Sequence, residues 1–156
     1  MKAQLALALF ALVGLLAAWD GVPRASATPS VDQREQAWLE QSITAYRIEV
    51  LVVRSVWHAQ THQITIQNGQ VENATAVCIP APTEAGKCEV EDFNAEDYTV
   101  AGLFREAHAQ TQSQYAAWTT ITYDPRYGFP QQISYNHPEM YDEDWTWRVT
   151  AFEVLK

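Results

Sequence analysis

Between Tyr46 and Cys78 the apolar residues fall on alternate positions, and that spacing limits the fold more than any other feature of the chain. Tyr46, Ile48, Val50, Val52 and Val56 share one parity. Successive side chains of a strand point to opposite faces, so these five line one face of a strand running to about Trp57. Ile64 and Ile66 do the same for a second strand, His62 to Gln67, with His58-Ala59-Gln60-Thr61 as the loop before it. Asn68-Gly69 follows. Both residues tolerate positive φ, which predicts a two-residue hairpin turn. Gln70 to Cys78 returns as a third strand, with Val71 and Val77 inward. Strands joined by such short turns pair antiparallel.

Helical spacing appears twice. Val31 to about Ala45 has Ser30 or Asp32 as its cap and one stripe of Trp38, Leu39, Ser42, Ile43 and Tyr46 at i, i+1, i+4, i+5 and i+8. Thr99 to about Gln112 has Asp97 or Thr99 as its cap and a stripe of Val100, Leu103, Phe104 and Ala107. Three further strands are predicted: Tyr115 to Tyr123, Gln131 to Tyr135, and Trp145 to Leu155. In the last of these Trp145, Trp147, Val149 and Ala151 alternate onto one face. The expected fold is α+β, an antiparallel sheet of about six strands with two helices against one face, in the order αβββαβββ.

Residues 1–27 follow another logic. Met1-Lys2 supplies a positive start, Leu5 to Trp19 an apolar run, and Ala25-Ser26-Ala27 the small residues that a signal peptidase reads. Together these predict a secretory signal peptide cleaved after Ala27. The run is shorter than the roughly 20 residues of a spanning helix, so no stable membrane span is expected after cleavage. Residues 28–156 then form a single exported domain, secreted or periplasmic. Cys78 and Cys88 fit that setting. An isolated pair in an exported chain predicts one disulfide, here closing a loop of 11 residues.

Nineteen acidic residues against ten basic ones give a formal charge of -9. That field repels nucleic acid and anionic lipid. It suits cationic partners, divalent metals or simple solubility. No G-x-S-x-G and no glycine-rich phosphate loop occurs, and no catalytic constellation stands out, so no cofactor is expected.

The segment Tyr123-Asp124-Pro125-Arg126-Tyr127-Gly128-Phe129-Pro130 is the most distinctive stretch. Two prolines fix φ, Gly128 permits positive φ, and Asp124 can accept from turn amides, so a stiff turn is predicted. Tyr123, Tyr127 and Phe129 offer rings for stacking and Arg126 an anion contact. Trp57 and Trp118, each opposite its strand's apolar face, add two candidate binding aromatics. Glu139, Asp142, Glu143 and Asp144 are candidate oxygen ligands for a hard cation such as Ca²⁺, although the spaced D-x-[DN]-x-[DN]-G pattern is absent. Paired carboxylates also open a small acid-pair hydrolase as a further reading.

The octapeptide, followed by Ile133, resembles the signature Tyr-Asp-Pro-x-Tyr-Gly-aromatic-Pro of a family of uncharacterised bacterial exported domains, often found behind a signal or lipoprotein peptide. Thr99-Val100-x-x-Leu103-Phe104 resembles the helix that precedes that signature, and Asn68-Gly69-Gln70-Val71 its earlier hairpin turn. The likeness covers roughly Tyr46 to Leu155. It implies an exported domain of unknown function and supplies no activity. The expected function is therefore a non-enzymatic module that binds a protein or another envelope or secreted component through one face of its sheet. Metal binding through residues 139–144 is the runner-up.

Overall fold

The computed structural model describes residues 28–55, 58–80, 88–139 and 144–156. The expected signal peptide, Trp57, Asp142 and Glu143 lie outside them. The described residues form helix α1 (Val31–Glu40), strands β1 (Tyr46–Ser55), β2 (His58–Gln67) and β3 (Gln70–Ile79), helix α2 (Val100–Gln112), and strands β4 (Thr119–Tyr123), β5 (Pro130–Tyr135) and β6 (Trp145–Val154). All six strands make one antiparallel sheet in the order β3-β2-β1-β6-β5-β4. The first meander runs outward from the centre and the second runs back inward, so β1 and β6 pair in the middle. The Cys78–Cys88 disulfide is present.

Local chemistry explains most of the boundaries. Ser30 caps α1 through a capping box with Gln33, and the Thr99 hydroxyl caps α2 by accepting from the Gly102 amide. Asn68 and Gly69 both take positive φ, and the turn is tied to the chain before β1 by the Gly69 amide donating to the Thr44 carbonyl. Helix α1 stops five residues sooner than its apolar stripe predicts. Ser42 enters the left-handed region at φ 53°, so Leu39 is left exposed and Trp38 alone is buried from this helix. Tyr115 to Trp118, expected as strand, is instead a turn whose last residues, Ala116–Trp118, are 3-10.

The core lies between the helices and one sheet face. Trp38, Val100, Leu103 and Phe104 pack on Tyr46, Ile48, Val50, Val52, Ile64 and Ile66. Two β-bulges decide which residues join it. Between β2 and β3, Ile66 pairs with Val71 but Thr65 with Asn73, so Glu72 is the extra residue. Parity flips there: Val71 and Ala74 pack on the core, while Val77 is 61% exposed, contrary to the sequence expectation. Between β1 and β6, Val50 pairs with Val149 and Glu49 with Ala151, making Thr150 the extra residue. Trp147, Val149 and Phe152 therefore face the core and Ala151 faces solvent, again reversing the simple alternation. Strand β2 also begins at His58, four residues before its expected start, and those four residues belong to the sheet rather than to a loop.

Candidate functional site

The octapeptide forms the β4–β5 connection, and Asp124 organises it. One oxygen of its carboxylate accepts from the amides of Arg126 (2.9 Å) and Tyr127 (2.7 Å). Its backbone closes the turn, with the Asp124 amide donating to the Phe129 carbonyl and the Gly128 amide donating to the Asp124 carbonyl. Gly128 sits at φ 78°, where a Cβ would be strained. Helix α1 docks on this turn from the helix side of the sheet. The Gln41 side-chain amide donates to the Tyr127 carbonyl at 2.8 Å, and Trp38 meets the Phe129 ring edge-on at 5.8 Å.

Docking leaves a groove of about 600 Å³ lined by Arg34 and Ala37 of α1, by Gln41 at its C-terminal cap and by residues 121–128. A second hollow, of about 480 Å³, adjoins it and shares Thr28, Ile121 and Tyr123. Two arginines flank the groove, each over a tyrosine. The Arg34 guanidinium lies 4.0 Å above the Tyr123 ring, and that of Arg126 lies 4.9 Å from the centre of the Tyr127 ring. The Arg34 Nε is buried and has no hydrogen-bond partner among the described residues. Burial raises the Tyr123 hydroxyl pKa above its ordinary value and Arg34 pulls it back, so the hydroxyl stays a neutral donor.

The structure thus brings Tyr123, Asp124, Arg126 and Tyr127 together and adds Arg34 of α1 and Gln41 at its C-terminal cap, which the sequence reading missed. No local signal marks them, since each acquires its role from contact with a turn far along the chain. Phe129 sits beneath the groove at 1% exposure, against Trp38 and Phe152. Its ring lies under the groove and is not part of its lining. Trp118 is 38% exposed but stands at the other end of the β4–β5 hairpin, packed on His137. It does not share the groove. The site is at the β4 edge beside α1, not on the open sheet face.

The acidic segment is only partly described. Asp144 accepts the His137 amide and the Glu139 amide donates to His137 Nδ1, both as turn contacts. Among the described residues no group of three or more His, Cys, Asp and Glu is arranged to hold a metal ion. Among them, too, no helix is long and apolar enough to cross a membrane.

A second polar centre lies within the first meander. His62, 1% exposed, stacks on Tyr98 with ring centres 3.6 Å apart. The Gln60 side chain holds Glu91 in a strand-like pair of bonds, accepting its amide at 2.9 Å and donating to its carbonyl at 3.3 Å. The same amide nitrogen faces His62 Nε2 at 3.4 Å. Nε2 is therefore the acceptor and the ring proton sits on Nδ1, which has no partner among the described residues. Arg54 and His58 flank the Glu91 carboxylate at 3.1 and 3.6 Å. Burial, then the positive charges of Arg54 and His58, push the His62 pKa down to about 4. Its place inside was legible in one respect: His62 shares the parity of Ile64 and Ile66.

Residues 30–154 match a family of unknown function (DUF6174), and the chain belongs to it. No curated protein and no solved structure matches the chain.

Proposed function

We propose, for this member of the family, a non-enzymatic exported domain that binds another envelope or secreted component in the groove between α1 and the octapeptide turn. One observation carries the reading: Tyr123, Tyr127, Arg34 and Arg126 are held around a single hollow by a turn whose backbone is already satisfied by Asp124. Rings and guanidiniums prepositioned in this way bind with little loss of side-chain entropy. Export follows from the leader-like residues 1–27 and is supported by the disulfide. The experiment is crosslinked capture by the mature protein from its native envelope, comparing wild type with Ala37→Trp, which fills the groove and leaves the arginines in place. A dominant partner that disappears from the Ala37→Trp sample supports the reading. A partner retained undiminished by that variant, or no enriched partner at low salt, refutes it.

A further inference from the structure

Three arginines outside the groove are paired with carboxylates. Arg47 meets Glu153, Arg54 meets Glu91, and Arg105 meets Asp97, all within 3.2 Å. With nearly twice as many acids as bases, such pairing is easy to achieve. Arg34, Arg126 and Arg148 have no carboxylate partner among the described residues, and of these Arg34 and Arg126 share one groove. Asp124 lies in the same groove, but one of its oxygens is engaged by two backbone amides.

The Arg34 guanidinium carbon lies over the Tyr123 ring and that of Arg126 over the Tyr127 ring, so each cation has a ring as its neighbour and no carboxylate partner among the described residues. The in-plane N–H groups of a guanidinium form the rigid fork that matches a carboxylate or a phosphate. Arg34 adds an independent sign. Its Nε is shut off from solvent yet makes no hydrogen bond among the described residues. An unmade bond from a buried charged donor is among the costlier defects a protein tolerates. An oxyanion at the groove-lining part of the same guanidinium sets a compensating charge beside it.

We propose that the ligand carries an oxyanion, a carboxylate or a phosphate, bound by the N–H donors of Arg34 and Arg126 beside the rings of Tyr123 and Tyr127. This inference rests on the groove being the binding site. On a protein of charge -9 such recognition is local, made by two cations in one groove rather than by the overall field.

The probes are inorganic phosphate and succinate, titrated separately into the full mature protein at constant ionic strength, with chloride as the control. The readout is the NMR signal of the Arg34 Nε–H group. The expected result is saturable movement of that signal with a Kd on the order of 1 mM, as befits a small ion on an open site. Arg126→Gln weakens binding about tenfold or more. Arg148→Gln, on an exposed residue of β6 away from the groove, leaves it unchanged. Response to phosphate alone identifies a phosphorylated ligand, response to succinate alone a carboxylate, and response to both an undiscriminating oxyanion site. Absence of saturable movement with either probe overturns the inference, as does equal weakening by Arg148→Gln. The two ideas fail separately. If anions do not bind but Ala37→Trp still abolishes partner capture, the groove reading stands and the oxyanion falls. If anions bind and partner capture ignores Ala37→Trp, the groove reading falls.

Discussion

His62→Phe removes the one strongly perturbed histidine while keeping a ring to stack on Tyr98. In the folded protein the charged imidazolium is opposed by burial and by Arg54 and His58, so its pKa falls from 6.5 to about 4. The Glu91 carboxylate, already shared by Arg54 and His58, does not offset them. The unfolded chain therefore binds the proton more readily than the folded one. Stability contributed by neutral His62 is complete above the ordinary histidine pKa and is lost as pH falls toward about 4. Linkage over that interval makes the loss on the order of 2 kcal/mol between about pH 7.5 and about pH 5, a large share of a typical domain's stability. The assay is urea denaturation of wild type and His62→Phe at closely spaced pH values. The variant starts from a different stability, because the Gln60 contact is gone, so the diagnostic quantity is the pH slope of the difference. Other titrating groups occur in both proteins and cancel in it. The wild type is expected to lose about 2 kcal/mol more than the variant on acidification through that window. Parallel curves, or an NMR titration of His62 with its midpoint near the ordinary histidine value, refute the reasoning.

Gly102→Ala places a Cβ on the Asp97 and Glu96 carbonyls of the 3-10 turn Ala95–Tyr98, where backbone cannot give way easily; a loss of about 3 kcal/mol in denaturation is expected, against about 1 kcal/mol of helix propensity for Ala101→Gly at the exposed neighbouring position. Asp124→Ala leaves the Arg126 and Tyr127 amides without their acceptor and is expected to lower stability by about 1–2 kcal/mol, whereas Asp124→Asn retains an acceptor oxygen and recovers much of it; calorimetry of the two variants separates turn chemistry from charge. Reducing Cys78–Cys88 frees a loop of 11 residues and is expected to lower stability by about 3 kcal/mol on the loop-entropy estimate, read as a shift in the urea midpoint with and without reductant.

Features that span a few residues were readable without coordinates, because their physics is local. Asn68-Gly69 closes a hairpin since both residues accept positive φ. Ser30 and Thr99 cap helices by accepting from amides three residues on. The disulfide had one possible connectivity, and Asp124 had only to find amides in its own turn. The period-two spacing likewise announced an antiparallel sheet with one buried face. That reasoning fails where a strand gains a residue. Alternation presumes an unbroken pleat, and the bulges at Glu72 and Thr150 reverse it, sending Val77 and Ala151 outward and Phe152 inward. Whether a strand bulges depends on its register with a neighbour, which a strand's own residues do not specify. The candidate site depends on tertiary structure even more. Arg34 and Gln41 look like ordinary polar helix residues until α1 is laid against the octapeptide, and His62 gains its shifted pKa only when Tyr98, Arg54 and His58 close around it. Turns, caps and spacing are properties of the chain; the groove and the buried imidazole exist only once packing brings distant segments together and excludes water from between them.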